Sequence, residues 1–263
     1  MHALTEIQLD PQRPALDPRP MEKRIGLIIL ATDHTTEVDF QRMVAGPNIG
    51  VYVSRIAYAN PTTPENLRGM LPDLASGAGL ILPGETLDAV VYSCSSASVI
   101  IGDAEIEAAI RRAKPGVPVV TPTLAALRGL TALETRKISI LTPYTVETSR
   151  PMAAYFAGHG FEIASVLCLG FEDDREMARI APDTLVDIAR GAIAPDADAL
   201  FISCTALRSA IAAYAIEEAI VRPVVTSNQA TAWNCLRLCG DHKPRPEFGR
   251  LMTLPLAAGR AAS

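Results

Sequence analysis

Two segments of this chain share one design and lie 110 residues apart. Residues 88–96 and 198–206 each open with Asp-Ala, continue through a short apolar run and end in a Ser-Cys pair followed by small residues, which places Cys94 and Cys204 at equivalent positions. An apolar run of this length between polar residues is typical of a buried parallel strand. The Ser-Cys pair would then lie at the carboxyl end of its strand, where open α/β sheets bind ligands. The sequence therefore predicts two thiols that face one pocket from related halves of the chain.

Other matched segments extend the repeat on both sides of the cysteines. Residues 24–30 correspond to residues 137–143, and residues 117–121 correspond to residues 222–226. A period this long indicates two similar domains rather than a solenoid of short units. Strand-like and helix-like runs alternate through both halves, which favours a parallel sheet in each. The predicted fold is therefore α/β, with two domains related by pseudo-two-fold duplication and the active site in the cleft between them.

The repeat and the proline distribution also predict domain boundaries. Residues 1–20 carry four prolines and no apolar block, and we expect them to form a flexible leader. The first domain is expected to comprise residues 21–122 plus 228–263, and the second residues 123–227. The local patterns predict helices near residues 37–44, 64–76, 103–113, 151–159, 182–191 and 207–219, and further strands near 51–58, 118–121 and 161–169.

Composition and charge argue against several classes of partner. The 263 residues carry a net charge of −5 and no basic run, which argues against nucleic acid. The longest apolar strand candidates span only about seven residues, whereas a bilayer requires about 20. The N-terminus lacks a secretory pattern and the five cysteines are odd in number, so we expect a reducing, cytoplasmic compartment without membrane partners. We expect a homo-oligomer that acts on a small molecule.

The remaining three cysteines offer weaker signals. Cys168 lies within an apolar strand candidate, where we expect an inert core residue. Cys235 and Cys239 precede Asp241 and His242, but the Cys-x-x-x-Cys spacing and the lack of a second ligand cluster do not favour a metal site. No glycine-rich phosphate-binding loop is present either. A single Ser-Cys pair could simply end a buried strand, whereas the matched duplicate favours a catalytic pair.

Four segments carry a resemblance to a known family, namely residues 92–96, 141–144, 203–208 and 226–230. They resemble the aspartate/glutamate racemase superfamily, and within it the branch of maleate cis–trans isomerases and arylmalonate decarboxylases. Residues 30–37 more particularly resemble the ectoine-utilisation A proteins of that branch. The resemblance covers residues 22–240 and implies two Rossmann-like domains, an active site between them and no cofactor.

The resemblance also implies a chemistry for the two thiols. In racemases of this kind one thiolate removes the α-proton and the opposite thiol returns a proton to the other face. In maleate isomerases the first cysteine adds to the double bond, and arylmalonate decarboxylases retain only the second cysteine. This chain carries both Cys94 and Cys204. We therefore expect a cofactor-independent isomerase or racemase of a small carboxylic acid, with maleate isomerisation or arylmalonate-type decarboxylation as alternatives.

Several neighbouring residues fit the needs of this chemistry. An enediolate requires preorganised hydrogen-bond donors, which Ser95, Ser96 and Thr205 supply as hydroxyls and backbone N–H groups. The resemblance assigns a phenolic donor to Tyr144 and a carboxylate-binding amide to Asn228. Tyr144 could instead be a turn residue, and Asn228 could instead cap the helix that follows its strand.

Thr32 and Asp33 follow the first predicted strand and are expected to contact the substrate. A carboxylate at Asp33 would repel a second substrate carboxylate and attract an ammonium group. This charge favours an amino acid, such as one derived from ectoine, over maleate. The alternative is that Asp33 caps the following helix.

Two other function classes are less consistent with the sequence. A hydrolase or thiol transferase with a cysteine nucleophile needs a histidine base, and none of the four histidines lies in either cysteine motif. A non-catalytic two-lobed binding protein would be expected to carry an export signal and no thiol pair. Both expectations disagree with the sequence.

Overall fold

The computed structural model describes residues 7–256 and contains two parallel sheets of four strands each. The strand orders are β2-β1-β3-β4 and β6-β5-β7-β8, so the second half repeats the topology of the first. This repetition confirms the predicted α/β fold of two similar domains. The strands are β1 (Lys23–Leu30), β2 (Ile49–Ile56), β3 (Ala89–Tyr92), β4 (Val119–Val120), β5 (Lys137–Thr142), β6 (Glu162–Cys168), β7 (Ala199–Ile202) and β8 (Val224–Thr226).

Helices flank both sheets and connect the parallel strands. They are α1 (Thr36–Met43), α2 (Pro64–Arg68), α3 (Leu74–Leu80), α4 (Ser95–Ile101), α5 (Asp103–Ala113), α6 (Pro122–Ala132), α7 (Val146–Gly158), α8 (Asp174–Met177), α9 (Pro182–Ala192), α10 (Ala213–Ile220) and α11 (Ser227–Leu238). Short 3₁₀ turns occupy Leu71–Asp73, Pro246–Phe248 and Arg250–Thr253. None of the helices in residues 7–256 combines the length and apolar character that a bilayer crossing requires.

The core explains why the two domains lie so closely together. Strands β3 and β7 are buried along their full length, as their uninterrupted apolar runs predict. One cluster of buried side chains includes residues of both sheets, and the rings of Phe156 and Phe201 pack within it at 4.8 Å between centroids. Two further clusters each lie within one half of the chain. The shared cluster fixes the carboxyl ends of β3 and β7 at the domain junction.

The helices that follow β4 and β8 cross between the two halves. Thr121 and Thr226 cap α6 and α11 through their side-chain oxygens. Helix α11 packs against α1, β3 and β4 of the first half, while α6 packs against β8 of the second. The proposed assignment of residues 228–263 to the first domain and of residues 123–227 to the second stays a prediction, and residues 257–263 lie outside the described residues.

Several local predictions were wrong in their boundaries. The helix expected over 207–219 begins only at Ala213, because turns occupy residues 205–212 after Cys204. The helix expected over 64–76 is divided into α2, a 3₁₀ turn and the start of α3, with Pro72 in the turn. Helix α7 starts before Pro151, because Thr145 accepts a hydrogen bond from the backbone N–H of Thr148. Residues 7–20 of the expected leader are almost all exposed and lack helix or strand, and residues 1–6 lie outside the described part of the chain.

Candidate active site

Cys94 and Cys204 line one cavity at the junction of the two domains. Both are free thiols, and each side chain is only 5% exposed. The cavity holds about 20 Å³, which is room for roughly one water molecule. Its wall combines the two thiols with hydroxyl, carboxylate and apolar groups, namely Leu30, Asp33, Tyr58, Thr62, Cys94, Ser96, Tyr144, Asp174, Met177, Cys204, Thr205 and Ala206.

Cys94 is placed by the transition from β3 to α4. It occupies the N-cap position of α4 in an extended conformation, directly after the buried strand. The Ser96 hydroxyl lies 3.6 Å from the Cys94 sulfur, and the backbone N–H of Ala97 also interacts with it. The free N–H groups at the start of a helix favour a negative charge, so this position suits a thiolate.

Cys204 is held in an unusual backbone conformation. Its φ of 98° lies in the left-handed region, which a residue with a side chain adopts only under constraint. The constraint includes Ser227, whose hydroxyl accepts a hydrogen bond from the Cys204 N–H at 3.1 Å. The Ser227 hydroxyl also lies 2.7 Å from that of Ser95, so the starts of α4 and α11 are joined beneath the two cysteines. We infer that this backbone geometry directs the Cys204 thiol into the cavity.

Burial dominates the protonation of both thiols. It raises the pKa of Cys94 to about 11, against partial relief from the Ala97 N–H and the Ser96 hydroxyl. It raises the pKa of Cys204 to about 12, with the Tyr144 hydroxyl as the largest opposing influence. The nearby carboxylates of Asp174 and Asp33 raise the pKa of Cys94 further. Both groups are therefore thiols at neutral pH in this closed state, and a thiolate must be favoured by what binds beside it.

The predicted hydroxyl donors Ser96, Tyr144 and Thr205 all reach the cavity. Tyr144 is 2% exposed, and burial raises its pKa well above its usual range, so it remains a neutral phenol that can donate a hydrogen bond. The Thr205 hydroxyl donates to the carbonyl oxygen of Ser93 at 3.2 Å, across the domain junction. The Ser96 and Tyr144 hydroxyls are therefore the neutral groups that could donate to an enediolate, whereas the Thr205 proton is already held by Ser93.

Three other predicted substrate-binding residues do not line the cavity. Ser95 binds Ser227 instead, and the Thr32 hydroxyl donates to Asp174. The Asn228 amide donates to Asp39 and to the Thr205 carbonyl oxygen, each at 2.9 Å. Asn228 is also not the helix cap, because Thr226 and Gln229 form the capping box of α11. The Thr226 side chain accepts a hydrogen bond from the N–H of Gln229, the third residue of α11, so Thr226 has the capping role that Asn228 could have had.

Asp39 belongs to the buried polar network that supports the Cys204 turn. It is 2% exposed, and burial raises its pKa from the usual 3.8 to about 7 despite the hydrogen bond from Asn228. The same amide nitrogen binds the carbonyl oxygen of Thr205, next to Cys204. Helix α1 of the first half is thereby connected to the turn of the second half that holds Cys204.

Asp33 both lines the cavity and caps the start of α1, the two alternatives that the sequence left open. It lines the cavity, and its carboxylate accepts hydrogen bonds from the N–H groups of Thr35 and Thr36 at 2.7 and 2.8 Å and from the Thr36 hydroxyl at 2.7 Å. Burial raises the pKa of Asp33, while these three hydrogen bonds oppose the rise. The start of α1 therefore accounts for the burial of this carboxylate without any ligand.

Sequence reasoning missed four residues of the cavity wall: Tyr58, Thr62, Asp174 and Met177. The Tyr58 and Thr62 hydroxyls lie 2.7 Å apart, and the Met177 sulfur lies 3.9 Å from that of Cys204. Asp174 is the least expected of the four, because residues 172–176 read as an exposed, charged loop. Nothing in the sequence distinguishes Asp174 from its acidic neighbours, whereas in the structure it is only 6% exposed.

The other three cysteines lie away from this cavity. Cys168 is only half-buried at the end of β6, so its assignment to the core was wrong. An edge strand with one exposed face explains the difference, because β6 is paired only with β5. Cys235 and Cys239 are buried on α11. Within residues 7–256, no group of three or more His, Cys, Asp or Glu side chains is arranged to hold a metal ion.

Comparisons with known proteins identify the family of this chain and support its fold. The sequence model of the arylmalonate decarboxylase family matches residues 82–252. The arylmalonate decarboxylase of Bordetella bronchiseptica is 33% identical over 232 residues, which cover 78% of this chain and 96% of that protein. A double mutant of arylmalonate decarboxylase in its liganded form is 30% identical with a TM-score of 0.77, covering 87% of this chain and 98% of the other. The fold is also similar to that of a cysteine-to-serine mutant of the Nocardia farcinica maleate cis–trans isomerase, whose structure contains a covalently bound succinylcysteine intermediate. The identity is 21% and the TM-score 0.80, and the match covers 88% of this chain and 98% of the other. This chain belongs to the arylmalonate decarboxylase family.

Proposed function

We propose that this protein is a cofactor-independent racemase or isomerase that acts at the carbon next to the carboxylate of a small acid. The observation that carries the proposal is the pair of thiols, Cys94 and Cys204, on the wall of one interdomain cavity. Each thiol comes from an equivalent strand end in one of the two similar halves. Two opposed proton carriers are the arrangement that exchange of a proton between the two faces of a carbon requires.

The proposed reaction moves one proton off the substrate and another onto it. One cysteine thiolate takes the α-proton, and the electron pair of the broken C–H bond passes into the carboxylate as an enediolate. The opposite thiol then gives its proton to the other face of that carbon. The substrate is inverted, and the thiol and thiolate have exchanged places. Tyr144 and Ser96 supply hydrogen bonds to the enediolate oxygens, whose charge exists only after proton removal, and Thr205 lies beside them on the wall.

The charge of the cavity supports an amino acid as the substrate. Asp33 lines the wall, and none of the described residues that line it is Lys, Arg or His. A substrate with two carboxylates would meet repulsion there, whereas one with an ammonium group would be attracted. The resemblance of residues 30–37 to ectoine-utilisation proteins supports an amino acid of ectoine degradation. The free state of all five cysteines supports a reducing, cytoplasmic compartment, and a homo-oligomer remains our expectation.

Substrate entry requires the cavity to enlarge, because about 20 Å³ cannot hold an amino acid. Contacts across the closed junction include the N–H of Thr62 with the Glu172 carbonyl at 2.8 Å and the Thr148 hydroxyl with the Thr62 carbonyl at 2.9 Å. Movement of the segment that contains Tyr58 and Thr62 would open one wall. Its return would exclude water while the enediolate exists.

Two alternative reactions are favoured by specific observations. The 33% identity to the Bordetella arylmalonate decarboxylase favours release of CO₂ from a substituted malonate. The succinylcysteine of the Nocardia isomerase mutant favours addition of a thiolate to a double bond. Malonates and maleate are both dianions, however, and the acidic wall of this cavity disfavours them. Evolution of CO₂ or cis–trans conversion by the purified enzyme would select one of these reactions instead.

The test uses proton exchange with solvent. The enzyme is incubated in deuterated water with single enantiomers of amino acids, 2-hydroxy acids, maleate and phenylmalonate, followed by NMR and chiral chromatography. We expect α-deuterium and loss of optical activity with an amino acid. Cys94→Ala and Cys204→Ala should each abolish racemisation, while Cys168→Ala, outside the cavity, retains it as the control. Racemisation that survives either cavity substitution would contradict the two-thiol mechanism.

A further inference from the structure

Asp174 introduces a second carboxylate into the cavity, from the opposite domain to Asp33. Both side chains are 6% exposed and both line the wall that holds the two thiols. Every other polar side chain on the described wall is a hydroxyl or a thiol. The cavity thus carries two buried acidic groups and no cationic side chain on its described wall. Arg55 lies outside the wall on the side of Asp33, where it donates to the Asp33 backbone carbonyl at 2.9 Å and its charge lowers the pKa of Asp33.

Asp174 shares the Asn60 amide with its neighbour Asp173, at 2.9 and 3.1 Å, but differs from it in its charged contacts. Its carboxylate accepts hydrogen bonds from the Asn60 amide at 2.9 Å and from the Thr32 hydroxyl, both neutral and both from the first half of the chain. Within residues 7–256 it forms no ion pair, whereas adjacent Asp173 pairs with Arg175. A buried carboxylate without a counter-charge is costly, so its retention requires a reason.

Helix capping does not provide that reason. The N-cap of α8 is Asp173, whose side chain accepts the Arg175 N–H at 2.9 Å. Asp174 is the first residue inside this short helix, and its own N–H donates to the Asn60 side chain at 3.3 Å. Asp33, in contrast, has three donors at the start of α1 and the nearby positive charge of Arg55. Of the two carboxylates on the described cavity wall, Asp174 is the one that neither forms an ion pair nor caps a helix.

We propose that Asp174 is a specificity-determining residue that binds the ammonium group of the substrate, with Asn60 and Thr32 holding its carboxylate in position. This inference rests on the proposed function and names the chemical class of its substrate as an amino acid with a free cationic amine. A carboxylate has about four acceptor sites, so the two neutral donors leave room for an ammonium N–H. Removal of a charge-assisted hydrogen bond of this kind corresponds to a loss of about ten-fold or more.

The position of Asp174 also connects substrate charge to thiol reactivity. The carboxylates of Asp174 and Asp33 raise the pKa of Cys94, whose thiolate the reaction requires. An ammonium group bound at Asp174 would offset that effect and favour the thiolate only when the correct substrate is present. A dianionic substrate would have the opposite effect. Recognition and activation would then depend on the same charge.

The first experiment measures the charge preference of the cavity without any knowledge of the substrate. In a Cys168→Ser background, the cavity thiols are treated with cationic 2-aminoethyl and anionic 2-sulfonatoethyl methanethiosulfonate, and the modified residue is identified by mass spectrometry. A cysteine thiolate attacks the sulfenyl sulfur and displaces methanesulfinate, which leaves a mixed disulfide. We expect the cation-to-anion rate ratio to fall about ten-fold or more in Asp174→Asn.

Matched variants separate the proposed contact from general effects. Asp173→Asn removes an equal charge one residue away, outside the cavity wall, and should leave the ratio unchanged. Asp174→Glu retains the charge and should restore most of the preference. Circular dichroism and thermal melting establish that each variant is folded. A ratio that is the same in Asp174→Asn and Asp173→Asn would overturn the proposal.

The second experiment compares turnover of an amino acid with that of the matched 2-hydroxy acid. Asp174→Asn should lower kcat/KM for the amino acid about ten-fold or more relative to the hydroxy acid. If the wild-type enzyme racemises acids through both cysteines but prefers hydroxy acids, the ammonium inference fails and the proposed function stands. If neither cysteine is needed for any reaction while the reagent preference depends on Asp174, the proposed function fails and the cation site stands.

Discussion

The protonation of Asp39 offers a quantitative test of how the turn that holds Cys204 is supported. Burial raises the pKa of this carboxyl from 3.8 to about 7, which corresponds to about 4 kcal/mol of lost stability once the group is ionised in both states. Because the folded pKa is raised, the folded protein binds the proton more tightly than the unfolded chain. Stability attributable to Asp39 is therefore full below about pH 4 and falls until about pH 7.

Substitution of Asp39 by Asn removes this titration while preserving most of the contacts. The Asn228 amide donates to Asp39 at 2.9 Å, and the new amide oxygen would still accept that hydrogen bond. Between pH 4.5 and 8.5 the wild-type protein should lose about 3 kcal/mol of unfolding free energy that the variant does not lose. Asp39→Asn should accordingly be more stable than the wild type at pH 8.5, by roughly 2–4 °C in Tm for each kcal/mol.

The assay is urea denaturation followed by circular dichroism at both pH values. Glu37→Gln provides the control, because Glu37 is a carboxylate on the same helix whose side chain is 44% exposed and paired with Arg55. Its effect on unfolding free energy should be less than about 1 kcal/mol at either pH. If Asp39→Asn changes stability by the same amount at pH 4.5 and pH 8.5, Asp39 is ionised in the fold and the reasoning is wrong.

Three further predictions concern the chemistry of the cavity. Alkylation of Cys94 by iodoacetamide, measured by mass spectrometry, should accelerate about ten-fold per pH unit between pH 7 and 9.5. The reason is that only the thiolate reacts and burial raises the pKa of Cys94 to about 11. A rate that reaches a plateau below pH 9 would contradict this. Tyr144→Phe should lower kcat by roughly 10²-fold, because it removes a phenolic hydrogen-bond donor from the cavity. Tyr155→Phe is the control and should not lower kcat, because it removes only a hydrogen bond to Asp103 outside the cavity. Equal steady-state rates in the two variants would exclude the donor role. Activity should survive dialysis against EDTA, and recovery that depended on added metal or nucleotide would count against thiol-only catalysis.

The fold was predictable because its strongest signals are local and occur twice. The apolar runs of β3 and β7 each lead into a Ser-Cys pair, and both strands are fully buried. Their duplication predicted two thiols at one junction, since each pair lies at the carboxyl end of a strand in its own sheet, where open α/β sheets bind ligands. Local patterns failed where turns replaced helices. The helix expected from Leu207 starts six residues later, because the chain first completes the turns after Cys204.

The site was less predictable, because hydrogen-bonding partners depend on contacts between domains. Asn228 has the residue type expected of a carboxylate ligand, yet its amide binds Asp39 and the Thr205 carbonyl oxygen. Ser95 has the type expected of an enediolate donor, yet its hydroxyl lies against that of Ser227. Both residues support the turn of Cys204 rather than the cavity wall. A sequence identifies the groups that could donate a hydrogen bond, whereas the packing of the other domain determines what receives it.

Asp33 and Asp174 also differ in how far the sequence could predict their hydrogen-bonding partners. Both are aspartates, both are 6% exposed and both line the cavity. Asp33 could be singled out because it follows the first strand, and the N–H groups of α1 then explain its burial. Asp174 lies in a charged segment with no such signal, and its partners come from the opposite domain. The expectation of an amine-bearing substrate, first derived from Asp33, therefore rests more firmly on Asp174, because a charge that the fold does not neutralise is the one left for a ligand to neutralise.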